Sequence, residues 1–242
     1  MSTAKIQPGN ALPTNGAHGV EYRRVYVWQL PVRLYHWINA LALVLLCVTG
    51  YLIGAPMHLF DSAEAYQQYW FGTVRFIHFV AAFVYVFIFA ARIYWGFVGN
   101  KYAQWTTFLP FKKWQREEIV DVIKTDVLQT KMHGAISTGH NSLAAFIYFL
   151  TFLVFCFQTI TGFALYSSMS TSWLPQMFTW IVPLMGGEFG VRFWHHLFLW
   201  FFVCFTIVHV YLAFYHDYIE GRGTISSIVG GWKFDRVKGD DK

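Results

Sequence analysis

The stretch FWHHLFLWFFVCFTIVHVYLAFY, Phe193–Tyr215, decides the fold. It contains no Asp, Glu, Lys or Arg, and it exceeds the roughly 20 apolar residues that a helix needs to cross a bilayer. Three histidines interrupt it, and histidine inside a membrane segment is costly enough to count as a functional candidate by default. His195 and His209 stand fourteen residues apart. At about 100° per residue this is about 40° short of four turns, so both share one helix face about 21 Å apart along the axis. His196 is turned about 140° from His209 and so falls off that face.

Three more segments read the same way, giving expected spans at about 34–53, 74–98, 143–166 and 193–215. The first ends at Gly54 and Pro56, and the second at Gly99-Asn100. A short apolar stretch, residues 177–185, is interrupted by Pro183 and is expected to lie at the interface. Of the 242 residues 56% are hydrophobic and only 13% charged, against about 25% charged in ordinary soluble domains. The fold class is therefore an all-α integral membrane protein, a bundle of four transmembrane helices. We place the helical domain at residues 26–232, between tails at 1–25 and 233–242. The first tail, polar and without a signal-peptide core, is expected to be disordered.

Lysine and arginine set the orientation. Lys5, Arg23, Arg24 and Arg33 precede the first span, and Lys101, Lys112, Lys113, Arg116, Lys124 and Lys131 lie between the second and third. Arg222, Lys233, Arg236, Lys238 and Lys242 follow the fourth. The other two loops carry Asp61, Glu64 and Glu188, with Arg75 and Arg192 only at helix edges. Both termini are expected on the cytoplasmic side. The net charge of +5 is explained by this topology and points to no nucleic-acid partner. Cys47, Cys156 and Cys204 all fall in apolar runs and form neither a C-x-x-C pair nor a C-x-x-C-H haem-attachment motif.

Orientation gives the histidines their depth. His78 and His195 lie near the external ends of spans two and four, while His36 and His209 lie towards the cytoplasmic side. Each histidine alone has a bland reading, as an interhelical hydrogen-bond partner or, for His36 beside Trp37, as part of an interfacial aromatic belt. Together they match in depth as two pairs, which suits two stacked b haems bound without covalent attachment. The expected iron ligands are His78 with His195 outside and His36 with His209 inside. With two axial imidazoles haem iron keeps no open position, so such a site transfers single electrons. Arg33, Arg75 and Arg192 are candidate partners for haem propionates, or simple positive flanks of the helices. His216, beside Asp217 at the membrane edge, suits proton exchange or a quinone site. His140 is either a helix-entry residue or part of a quinone site. His18, His58 and His133 read as solvated.

The order of motifs carries a resemblance. Pro31-Val32-Arg33-Leu34-Tyr35-His36-Trp37, Arg75-Phe76-Ile77-His78, Arg92-Ile93-Tyr94-Trp95 with Gly99-Asn100, Gly139-His140-Asn141, Thr161-Gly162-Phe163-Ala164-Leu165-Tyr166, Trp194-His195-His196 and His209-Val210-Tyr211 occur in sequence. The chain resembles the cytochrome b subunits of membrane-bound nickel-iron uptake hydrogenases, from about Tyr26 to Trp232. The resemblance implies a bacterial inner-membrane protein that anchors the small and large subunits of a periplasmic hydrogenase. It would pass their electrons through two b haems to quinone, with His36, His78, His195 and His209 as the family's ligands. The chain would not itself split hydrogen, since no cysteine arrangement here holds a nickel-iron centre. Two positions depart from common relatives: Tyr215-His216-Asp217 where many have Arg-Glu-Asp, and Ser142 where many have proline. The alternatives are a cytochrome b serving formate dehydrogenase or another periplasmic oxidoreductase and, in a different class, a haem-free transporter or passive anchor.

Overall fold

The computed structural model describes residues 22–56, 69–124 and 141–236. Along the chain these form β1 (Tyr22–Tyr26), α1 (Leu30–Gly54), α2 (Trp70–Val98), α3 (Trp105–Phe108), α4 (Lys113–Val122), α5 (Ser142–Ser167), α6 (Trp173–Gln176), α7 (Ile181–Leu184), α8 (Glu188–Glu220), α9 (Thr224–Gly230) and β2 (Trp232–Arg236). α1, α2, α5 and α8 are each long and apolar enough to cross a membrane, which bears out the four expected spans. α1, α5 and α8 run past the expected stretches at both ends and α2 at its start, because the backbone ladder continues once polar side chains reach the interface. α8 starts at Glu188 and ends where Gly221 turns left-handed at φ 61°, a common helix stop. α1 begins with Pro31 in its first turn, where a missing N–H costs nothing.

The four long helices close into a bundle. α1 packs against α2 and α8, and α5 packs against α8. α2 meets α5 through stacked rings, Tyr85 on Phe155 at 4.5 Å and Phe89 on Phe152 at 4.9 Å. Phe155 also rests on Phe202 of α8 at 4.3 Å, so an aromatic layer crosses the middle of the bundle. Leu41, Phe87, Phe97 and Ile207 point outwards and stay exposed. That inverted distribution suits hydrocarbon as the surrounding solvent, where burial of apolar groups drives nothing and packing and hydrogen bonds hold helices together.

Each end of the bundle is capped. At one end, α6 and α7 pack onto α5 and α8 around Ala164, Ile181 and Val191. At the other end β1 pairs antiparallel with β2, Tyr22 opposite Arg236 and Tyr26 opposite Trp232. The tails expected at 1–25 and 233–242 are therefore strand where they meet, and only residues 1–21 and 237–242 lie outside the described residues. The partner of each strand is about two hundred residues away in sequence, so neither five-residue run announces its pairing. α9 fixes this cap to α1: Trp28 Nε1 donates to Ser227 Oγ at 3.0 Å, Trp37 Nε1 to the Ile228 carbonyl at 3.3 Å, and Arg33 to the Val229 carbonyl.

One departure from the family pattern has a visible use. Ser142 opens α5, and both its backbone N–H and its hydroxyl donate to the Glu118 carboxylate of α4. A proline at this position would have neither donor and could not make this tie between α4 and α5.

Candidate functional site

His78 and His195, the expected outer pair, are held by two equivalent devices. Thr49 on α1 spends its only hydroxyl proton on the Leu45 carbonyl at 2.6 Å, one turn back on its own helix. Its oxygen therefore accepts from His78 Nδ1, 2.8 Å away on α2. Thr161 on α5 donates to the Phe157 carbonyl at 3.0 Å and accepts from His195 Nδ1, 2.9 Å away on α8. Both threonines are buried. With the proton fixed on Nδ1, the Nε2 of each ring keeps its lone pair free to bind a metal. Interhelical hydrogen bonds of this kind average only about 0.6 kcal/mol in a membrane protein. Their effect on ring tautomer and orientation matters more here than their contribution to stability.

Glycines give these rings room. A Cβ at Gly50 would lie 3.4 Å from His78 Cε1 and 3.2 Å from Leu199 Cδ1, and one at Gly162 would lie 3.3 Å from His195 Cε1. Thus Thr49-Gly50 and Thr161-Gly162 form the same dipeptide on two helices, a threonine to orient the ring and a glycine to admit it. The sequence reading quoted the second within a motif but gave it no role. A repeated Thr-Gly pair inside two apolar spans was the available signal.

The inner pair is assembled differently. The rings of His36 on α1 and His209 on α8 have centroids 6.3 Å apart. A metal bonded at about 2 Å to one nitrogen of each ring, with roughly 1 Å more from nitrogen to centroid on each side, spans about 6 Å. The pair fits a bis-imidazole iron. His209 Nδ1 lies 3.1 Å from the Tyr148 hydroxyl of α5 and stacks on Phe205 at 5.6 Å. His36 Nδ1 is buried with no hydrogen-bond partner among the described residues. Among the described residues no group of three or more His, Cys, Asp or Glu could hold a metal ion. A site supplying only two imidazoles suits iron that brings its remaining four nitrogens in a porphyrin.

The other candidates are placed as follows. The ring of His196 lies against Gly54, where a Cβ would come within 2.6 Å of its Nε2, so it packs into the α1–α8 contact. It also interacts electrostatically with His78 and His195, which groups the three at one end of the bundle. Arg192 sits beside His196. Arg75 donates to Met169 Sδ at 2.8 Å. Arg33 is engaged by α9, with its Nε buried and unpartnered among the described residues. His216 lies 3.1 Å from Glu220 within α8, and Asp217 accepts from the Ile225 N–H at the start of α9. His140 lies outside the described residues, as do His18, His58 and His133. Its neighbour Asn141 caps α5 by accepting from the Ala144 N–H at 2.7 Å. Cys47, Cys156 and Cys204 are free thiols.

The threonines offer a test of this geometry. Thr49→Val and Thr161→Val keep side-chain volume but remove the acceptor for Nδ1–H. We expect each to weaken retention of one haem about 10–100-fold, the usual cost of losing a partner behind a metal ligand. Haem transfer to apomyoglobin measures this, and unchanged transfer rates in both variants would remove the orienting role.

Comparisons with known proteins converge on one family. The family model for prokaryotic cytochrome b561 matches residues 27–231. A protein of Azotobacter vinelandii named as a probable Ni/Fe-hydrogenase B-type cytochrome subunit is 41% identical over 214 residues, covering 86% of this chain and 88% of that protein. A protein of the same name from Cupriavidus necator is 38% identical over 221 residues, 90% of each chain. The probable Ni/Fe-hydrogenase 1 B-type cytochrome subunit of Escherichia coli is 34% identical over 226 residues, 90% of this chain and 95% of its own.

Proposed function

The chain belongs to the prokaryotic cytochrome b561 family, and on that premise we propose that it is the di-haem, membrane-anchoring subunit of a nickel-iron hydrogenase. It carries electrons from a periplasmic partner to quinone across the bacterial inner membrane, with both termini cytoplasmic. A bis-imidazole b haem supplies reversible one-electron transfer and leaves no site for substrate at iron. The residues of this chain do the rest. His78 and His195, oriented by Thr49 and Thr161, hold the outer group. His36 and His209 hold the inner one. The aromatic layer of buried Tyr85 and Phe202 with half-buried Phe155 between them keeps water from the space between the two levels.

The observation that carries this reading is the matched pair of threonine-held imidazoles at one level and facing imidazoles 6.3 Å apart at the other. The hydrogenase partner rests on the names of relatives that align along 86% or more of this chain. Arg75 and Arg192 at the outer edge remain proposed propionate partners, as does Arg33 at the inner edge. His216 and His140 remain proposed contributors to quinone binding or proton uptake.

A reduced-minus-oxidised spectrum of the full-length chain, expressed with haem supplied, tests the reading. It should show a b-type α band, and hydrogen should produce the same band in membranes that hold the intact hydrogenase. No α band would leave a transporter or passive anchor, whereas a band that responds to formate and not to hydrogen would assign the chain to another oxidoreductase.

A further inference from the structure

Arg92 follows His78 by fourteen residues on α2. It therefore shares the face of His78, about 21 Å further towards the end where His36 and His209 meet. Three rings enclose its guanidinium: Cζ lies 5.6 Å from the centroid of Tyr35, 5.1 Å from Trp105 and 4.9 Å from Phe108. Among the described residues no carboxylate pairs with it, and its Nη1 is buried without a hydrogen-bond partner. Trp105 Nε1, in the same cage, is a second buried donor without a partner. The absence of a side chain at Gly96 lets the Trp105 ring lie directly on α2, one turn beyond Arg92.

A guanidinium cannot shed its proton, so burial leaves it charged. Aromatic faces attract the cation but accept none of its in-plane N–H groups. Two orphaned donors, one of them cationic, in an aromatic cage with no carboxylate among the described residues are complementary to an oxyanion that those residues do not supply. The cage shares Tyr35 with the segment that presents His36, whose ring faces His209. We propose that Arg92 and Trp105 bind the carboxylate of a haem propionate at the inner level. This rests on the two-haem reading above. A lipid phosphate has the same chemistry, but the buried Nη1 and the three enclosing rings favour a carboxylate arriving from within the bundle.

The test is a spectroelectrochemical titration of the full-length chain with redox-difference infrared spectra, using haem labelled with carbon-13 at the propionates. The inner component is the one lost in His36→Ala. In Arg92→Gln its midpoint should move to a more negative value, because removing a cation disfavours adding an electron, and a labelled carboxylate band should shift. The outer component should stay where it is. Arg92→Lys should give a smaller change, since the charge remains and the fork is lost. Should Arg92→Gln fail to fold, Trp105→Phe must shift the same labelled band. An unshifted band and midpoint in the variant that folds overturn the assignment. Loss of a co-purifying phospholipid with the band unshifted overturns it in favour of a lipid phosphate. A wild-type chain with a single haem overturns the two-haem reading beneath it.

Discussion

In His78→Ala the full-length chain loses one of two b haems and hydrogen no longer reduces the other. His78 on α2 is the proposed outer ligand, and its tautomer is set by Thr49, whose hydroxyl proton is already committed to the Leu45 carbonyl. Alanine removes the ring that lies against Gly50 and leaves His195, held by Thr161, as the remaining threonine-held imidazole at that level among the described residues. Haem per chain should fall by about half, as measured by pyridine haemochrome, with the inner pair's spectrum intact. Exogenous imidazole should restore part of the lost band, since the vacated space matches the missing ring. His196 supplies the contrast. Its ring packs against Gly54 in the α1–α8 contact, so His196→Ala should keep both haems. Loss of a haem there, with retention in His195→Ala, would exchange the roles of the two neighbours.

The second large effect falls at the other level. His36→Ala should leave the outer haem fully reducible by hydrogen while quinone reduction falls to background. His36 is one of two facing rings whose centroids are 6.3 Å apart, and it reaches its place from α1, whereas both outer ligands lie on α2 and α8. Thr49 shares α1 with His36 but stands about 20 Å further along the axis, so removing the His36 ring leaves the Thr49–His78 and Thr161–His195 hydrogen bonds in place. Among the described residues its Nδ1 has no hydrogen-bond partner, so they hold the inner site less firmly than the outer one. The inner haem should accordingly be the first lost on dilution in detergent. Stopped-flow reduction by hydrogen followed at the α band, with a parallel quinone assay, separates the two steps. Equal loss of outer reduction and quinone reduction would contradict two independent levels.

The four spans were legible because a membrane helix is written as one continuous apolar run. His195 and His209 were placed on one face by helix period alone. Their expected partners on α1 and α2 were read from charge topology, and the structure does bring the His36 ring to His209. Other features were hidden by the distance between interacting residues. Thr49 and His78 belong to different helices, so neither sequence neighbourhood reveals the hydrogen bond. β1 and β2 pair across almost the whole chain, and five residues of mixed polarity look like tail until their partner is present. Arg92 was quoted only as part of a motif. A lone arginine in a span shows its lack of an anion only when the rings of Tyr35, Trp105 and Phe108 close around it. Ser142 read as a deviation in a motif, and its use appears only with Glu118 of α4 beside it.

The most direct test of two haem levels in one bundle is the ratio of haem to protein in the purified chain, taken with a redox titration of the α band. The account predicts two non-covalent b haems per chain and two one-electron components, the outer absent from His78→Ala and His195→Ala and the inner absent from His36→Ala and His209→Ala. A single haem whose loss follows all four substitutions alike would contradict it.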